Sequence, residues 1–298
     1  MAQDFKPPRQ RGFILHFGAL LLNLAVVGFL VLQALNQQER GFFILYLIIG
    51  VFGFLPIPFV AYRLFALLRS LYTIDREGIG IQWGLREEMI PMADIEWMRL
   101  ASDLAFDLPL PPFSVQGAVF GSRHHRDLGH IEYIASDPSN LLLVASRERV
   151  FAISPKDVRG FQNAFTNSAE LGSIAPISAK SSRANFLIAA LFNDRVSRTL
   201  LLLGFIFSVG LLIATSFIIP IRESIPLGFN PIGQAAESSP SERLLLLPVL
   251  SLLMLVLDIS LGAYLYRKKG YRVASYLVFA ASLIMPLSFF GVIIFLVL

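Results

Sequence analysis

The sequence predicts an α+β membrane protein, with about five transmembrane helices and a β-rich domain inserted between the second and the third. Three observations carry this prediction. Apolar runs of about 20 residues, the length that crosses ~30 Å of hydrocarbon, occur five times. Of the 298 residues 55% are hydrophobic and only 15% charged, against about 25% charged in soluble domains. Between the second and third runs lies a polar stretch of roughly 130 residues, much of it short alternating apolar segments broken by Gly, Pro, Asp and Asn. A wholly soluble chain is excluded. The absence of Cys also excludes a disulfide framework, a thiolate metal site and a Cys nucleophile.

The first run, 12–35, has only His16, Asn23 and Gln33 as markedly polar positions. It exceeds the apolar core of a signal peptide and a second run follows closely, so it reads as an uncleaved helix. The second, 42–68, carries Pro56 and Pro58, which predict a bend because each removes a helix donor. The remaining runs are 199–221, 244–266 and 273–297. This gives a two-helix hairpin over 1–70 and a three-helix region over 199–298. One set of flanks carries Lys6, Arg9, Arg11, Arg63, Arg69, Lys180, Arg183, Arg195, Arg198, Arg267, Lys268, Lys269 and Arg272, and the other only Arg40, Arg222 and Arg243. The bias places the N-terminus and the middle domain in the cytoplasm and the C-terminus on the far side.

The middle domain is expected over 71–170, with strands at 70–75, 78–83, 87–91, 131–135, 141–146 and 150–153. Arg76-Glu77-Gly78 reads as a hairpin turn. Residues 92–100 fit either a short helix or a further strand. Ser154-Pro155-Lys156-Asp157 resembles a helix start, with Ser154 as N-cap and Pro155 at the first helical position. That helix would bury Val158, Phe161 and Phe165 on one face. A linker over 171–198 follows, rich in Ser, Ala and Pro to 182. Phe186, Leu187, Ala190, Leu191 and Val196 then suggest an amphipathic stretch lying on the inner leaflet.

Tyr72-Thr73-Ile74-Asp75, Gly78-Ile79-Gly80-Ile81, Ile90-Pro91 and Asp94-Ile95 resemble the opening of a bacterial pleckstrin-homology (PH-like) domain. Leu141-Leu142-Leu143-Val144 and Phe151-Ala152-Ile153-Ser154-Pro155, before an apolar-faced helix, resemble its close. The resemblance covers about 100 residues. It implies a β-barrel or bent antiparallel sheet of seven strands capped by a C-terminal helix, in a multi-pass protein of the bacterial inner membrane. A second resemblance runs through Ile225-Pro226-Leu227-Gly228-Phe229-Asn230-Pro231-Ile232-Gly233-Gln234 and Ser241-Glu242-Arg243-Leu244 to the end of the last two helices. It is to a domain of unknown function in bacteriocin-immunity-type membrane proteins. Gly228 stands where those members carry His, and the acidic position after Gly233 is not preserved.

Charge narrows the ligand. Between Tyr72 and Glu170 there are nine Lys and Arg against 14 Asp and Glu, a net of −5, while the rest of the chain carries +9. An acidic domain beside an anionic leaflet is a poor reader of phosphoinositide head groups, which need a clustered basic pocket. The +4 of the whole chain resides in membrane flanks and argues against nucleic acid. A protein or peptide partner along an exposed sheet edge is the better expectation, with the lipid bilayer as the other partner.

The tract 101–130 contains Asp107-Leu108-Pro109-Leu110-Pro111-Pro112-Phe113, which cannot form a continuous central strand. It reads as a long loop or edge segment, either an insertion packed on the sheet or a binding element centred on Pro109, Pro111, Pro112 and Phe113. Arg123-His124-His125-Arg126, with His130 nearby, is the dense His cluster. Its adjacent spacing is poor for zinc, so a solvated basic loop is favoured over metal binding or pH sensing at His124, His125 and His130. Asp258, His16 and Asn23 are the costly polar residues inside spans. Hydrogen bonding between helices is favoured for them over a proton or ion relay. No motif for phosphate binding, metal-dependent hydrolysis or a serine nucleophile stands in the sequence. The expectation is a non-enzymatic protein without cofactor that presents the PH-like domain for protein or peptide interaction or membrane-linked sensing. The alternative is an immunity- or transporter-like bundle acting around Asp258.

Overall fold

The computed structural model describes residues 2–37, 39–171, 180–182, 191, 193–226, 238–268 and 270–297. Five helical stretches among them are long and apolar enough to cross a membrane: Gln10–Asn36, Gly41–Leu68, Arg195–Ile218, Ser241–Arg267 and Arg272–Phe295. The second is broken at Leu55 into α2 (Arg40–Phe54) and α3 (Pro56–Leu68), with Pro at the start of α3 as expected. The chain divides into two compact units, Met1–Val26 with Gly53–Ala184 and Val27–Phe52 with Asn185–Leu298.

In the second unit α5 (Arg195–Ile218), α6 (Leu246–Arg267) and α7 (Arg272–Val297) pack through small residues. The Ser208 and Ser251 hydroxyls lie 2.8 Å apart, and Ser275 Oγ donates to the Gly262 carbonyl at 2.8 Å. A Cβ on Gly262 would overlap the Phe279 ring, so only Gly admits that close approach. Arg243 Nη2 donates to the carbonyls of Leu35 and Gln37, which α1 (Gln10–Asn36) leaves without helical partners at its end. The short strands Ser224–Pro226 and Ser238–Pro240 pair between α5 and α6. Residues 227–237 of the second resemblance, and most of the expected amphipathic stretch, lie outside the described residues.

The first unit contains the β domain, which falls into two five-stranded sheets. The first has the order β1 (Gln3–Phe5), β2 (Leu71–Ile74), β3 (Gly78–Trp83), β4 (Arg86–Pro91) and β10 (Lys180–Ser182). The second has the order β5 (Ile95–Leu100), β8 (Leu142–Ser146), β9 (Val150–Ile153), β7 (Gly129–Ala135) and β6 (Val119–His125). One pairing, β7 with β9, is parallel, which departs from the all-antiparallel expectation. Between Ile131 and Ile153 the hydrophobic runs buried on both faces supply the centre of the second sheet. Ile134, Leu142, Val144, Phe151 and Ile153 meet Tyr72, Ile74, Ile79, Ile81 and Ile90 of the first sheet, and Phe161 of α4 (Val158–Leu171) closes that core. The opposite face of the second sheet is covered by Trp97, Ala101, Leu104 and Leu108.

Several expectations change. Residues 92–100 are both readings in turn, a 3-10 turn at Met92–Asp94 and then β5. The tract 101–130 is not one loop, because Val119–His125 pairs with β7 as a hairpin arm. Ahead of that strand, Ala101, Leu104 and Leu108 pack against the sheet, while Leu110 and Phe113 are exposed. Ser154 does not cap α4. Its hydroxyl accepts from the amides of Ser136 and Asp137, while Asp157 Oδ1 takes the Gly160 amide at 2.9 Å.

Two segments outside 71–170 complete it, one near the start of the chain and one nine residues after α4. β1 pairs antiparallel with β2, Phe5 meets Phe161 edge-on at 5.1 Å, and the Lys156 amide donates to the Lys6 carbonyl. Arg9 Nη2 donates to the Ser70 carbonyl. At the other edge β10 pairs antiparallel with β4. Tyr72 ties the two sheets together. Its hydroxyl donates to the Ile134 carbonyl at 2.8 Å and accepts from the Ser154 amide, and burial pushes the phenol pKa up. Tyr72→Phe leaves a buried carbonyl and amide without these bonds. It should cost about 1–3 kcal/mol, read as a lower unfolding midpoint of the full chain in detergent.

Candidate functional site

The β3–β4 hairpin turns at Gly84, whose φ of +59° a side chain would disfavour, and sends Arg86 into the space between the sheets. Along β7, Glu132 shares a face with Ile134 and so points inward as well. The result is a buried ionic network. Arg86 bonds both Glu88, at 2.6 Å, and Glu132, and Arg149 Nη1 lies 3.0 Å from Glu132 Oε1. Arg86, Glu88 and Glu132 are 6%, 4% and 2% exposed. His130 Nε2 stands 3.7 Å from Glu132 at the network's rim. Burial opposes ionisation of Glu132, yet Arg86 and Arg149 outweigh it and hold the carboxyl below its ordinary value.

Two members of this network, Glu88 and Arg149, line a cleft of about 440 Å³ between the edge of β4 and the β8–β9 turn. Glu88, Met89 and Ile90 line one wall, Ser146, Arg147 and Arg149 the other, and Ser181 of β10 reaches over it. Arg147 crosses to Asp94 at 3.7 Å. Ser181 Oγ donates to Glu88 Oε1 at 2.8 Å, so β10 is joined to the network by a side chain as well as by its ladder.

The residues singled out from sequence lie elsewhere. Pro109, Pro111, Pro112 and Phe113 cross the outside of the second sheet, where Tyr133 Oη donates to the Pro109 carbonyl and Arg63 Nη2 to the Phe113 carbonyl. His124 and His130 face each other across the β6–β7 hairpin, and His125 stacks on Phe106 at 4.4 Å. Among the described residues no group of three or more His, Asp or Glu could hold a metal ion. His16 is buried in the first unit with its Nε2 unbonded, and Asn23 is half-buried on the same helix with its Oδ1 unbonded. Asp258 is half-buried on α6 in the second unit. The Arg86–Glu132 network was not among the sequence candidates. Its one local signal was Glu132 on the Ile134 face of an otherwise apolar strand.

Residues 70–169 match the family model described as the bacterial PH domain. No curated protein and no solved structure matches the chain. The match falls on the first of the two resemblances and does not extend to the region after 225.

Proposed function

We propose that the chain is a non-enzymatic membrane adaptor whose PH-like domain receives an extended polypeptide segment at the edge of β4. The observation that carries this reading is β10. Three residues from a sequence-distant segment lie as an added strand on that edge, the binding mode known as β-augmentation, with Ser181 engaging the buried Glu88. A partner segment would replace Lys180–Ser182, take the same ladder and place a hydroxyl or basic group at Glu88. The two sheets and α4 serve in this reading as one PH-like barrel. The domain stands on the cytoplasmic side of a bacterial inner membrane, a placement supported by the 13-to-three distribution of Lys and Arg in the flanks. The acidic balance of residues 72–170 keeps the site from anionic lipid head groups. The alternative centred on Asp258 rests on that one carboxylate, whereas the bonds named above inside the bundle are made by hydroxyls.

Replacing Lys180-Ser181-Ser182 by Gly-Pro-Gly in the full chain removes the added strand, since Pro lacks the ladder donor. A synthetic peptide spanning 176–186 should then bind saturably to that variant and at least tenfold more weakly to the parent. Equal binding to both, or none to the variant, would overturn the reading.

A further inference from the structure

The tip of the Pro-rich loop is built in an unusual way. Ser114 donates from both its amide, at 3.3 Å, and its hydroxyl, at 2.7 Å, to the Pro111 carbonyl, closing a four-residue turn. Pro112 occupies the second place and Phe113 the third, where φ is +60°. That is the position of a type II turn where Gly is usual. A bulky residue held there costs of order 1–3 kcal/mol, and the ring gains no cover in return, being 82% exposed. The turn is held by α3. Arg63 Nη2 donates to the Phe113 carbonyl at 2.9 Å, and the same guanidinium lies 4.3 Å above the Phe59 ring.

Arg63 also fixes the depth of the turn. It lies five residues before the end of the apolar stretch Gly41–Leu68, or about 7.5 Å at 1.5 Å per residue, which is where amphipathic groups meet the acyl boundary. Phe59 and Tyr62 on α3, and Leu110 and Phe120 beside the turn, are also exposed. A cavity of about 210 Å³ runs between helix and turn, lined by Phe59, Tyr62, Trp83, Pro112, Phe113 and Phe120 beside Arg63. The apolar surface of the turn is therefore continuous with that of a membrane-spanning helix.

We infer that residues 111–114 insert Phe113 into the leaflet on the domain's side, where a phospholipid acyl chain fills the cavity between α3 and the turn. The occupant is bilayer lipid, because the cavity opens along a stretch long and apolar enough to cross a membrane, whose Phe59 and Leu68 are exposed. The backbone strain then has a use: it presents a rigid aromatic wedge at fixed depth without relying on a flexible loop. This fastens the domain to the bilayer surface independently of what the β4 edge receives.

The chain has no Cys, so single labels are clean. Nitroxide is attached at Phe113→Cys, at Leu110→Cys, which keeps Phe113, and at Arg126→Cys. Arg126 follows the far end of β6, about 20 Å along the strand from Val119. The labelled full chain is reconstituted in vesicles of phosphatidylcholine and phosphatidylglycerol, and collision rates with oxygen and with a water-soluble nickel complex are measured. The ratio of oxygen to nickel collisions should be several-fold higher at 113 and 110 than at 126. Nickel access at 113 equal to that at 126 would overturn the inference. Shielding of 113 from both reagents would also overturn it, as the mark of a protein cover or a second copy.

Discussion

Replacing Arg86 by Met is expected to cost about 3–5 kcal/mol, the largest single loss among side chains of the β domain. The guanidinium neutralises Glu88 and Glu132, which are 4% and 2% exposed, so truncation leaves two buried carboxylates without their shared cation while Arg149 stays on Glu132 and the Ser181 hydroxyl on Glu88. The measurement is the unfolding midpoint of the full chain in detergent, with amide exchange over β4 and β7 to locate the loss. A triple variant, Arg86→Met with Glu88→Leu and Glu132→Leu, should recover most of it, because removing every charge removes the unpaired ones. The pH dependence has a fixed sign. Glu132 ionises more readily folded than unfolded, so its contribution is full above the ordinary value of 4.5 and is lost as pH falls through the lower folded value. Glu132→Gln should flatten that acid limb, and an unchanged limb would contradict the assignment.

Gly117→Val is expected to cost about 3 kcal/mol or more and to free the start of α1 from the domain. Gly117 has a φ of +90°, and a Cβ there would come within 2.5 Å of Gly12 Cα on α1. Backbone strain and overlap add. Gly12→Leu brings the overlap without the dihedral strain and should cost about 1–3 kcal/mol. Limited proteolysis across residues 101–118, alongside the unfolding midpoint, separates local release from global loss. If Gly12→Leu matches the parent in both, the first helix does not bear on the domain at that point.

The parts of the fold that were legible share one property, a local signal. Leu71–Ile74, Gly78–Trp83, Leu142–Ser146 and Val150–Ile153 are runs of β-branched and aliphatic residues bounded by turn formers, and each is a strand at or near the expected ends. β6 was hidden because Val119–His125 is an edge strand whose side chains are mostly exposed, so Gly121, Ser122, Arg123 and the two His read as loop. β1 and β10 are three residues each, Gln3–Phe5 and Lys180–Ser182, without strand propensity of their own. They exist as strands because an open ladder is offered to them, and that is a tertiary fact. The N-cap expectation failed on similar grounds. Ser154 had the right residue type, but the amides of Ser136 and Asp137 claimed its hydroxyl, and Asp157 stood one turn later to take the role.

The site was less legible than the fold. Arg86, Glu132 and Arg149 are separated by up to 63 positions and meet only because β4, β7 and the β8–β9 turn converge. The Pro-rich segment was visible, and its two readings divide along its length. Leu104 and Leu108 lie on the sheet, while Phe113 at the tip remains outside any core. The expectation of a partner along an exposed sheet edge named no strand, and nothing in the sequence showed that Lys180–Ser182 pairs with β4.

The most direct test of the central claim is amide exchange at Glu87–Met89 in the reconstituted full chain. These amides should be protected in the parent and exchange faster by tenfold or more when Lys180-Ser181-Ser182 is replaced by Gly-Pro-Gly. Adding the 176–186 peptide to that variant should restore protection. Rapid exchange in the parent, or no recovery with saturating peptide, would contradict a β4 edge that binds extended chain.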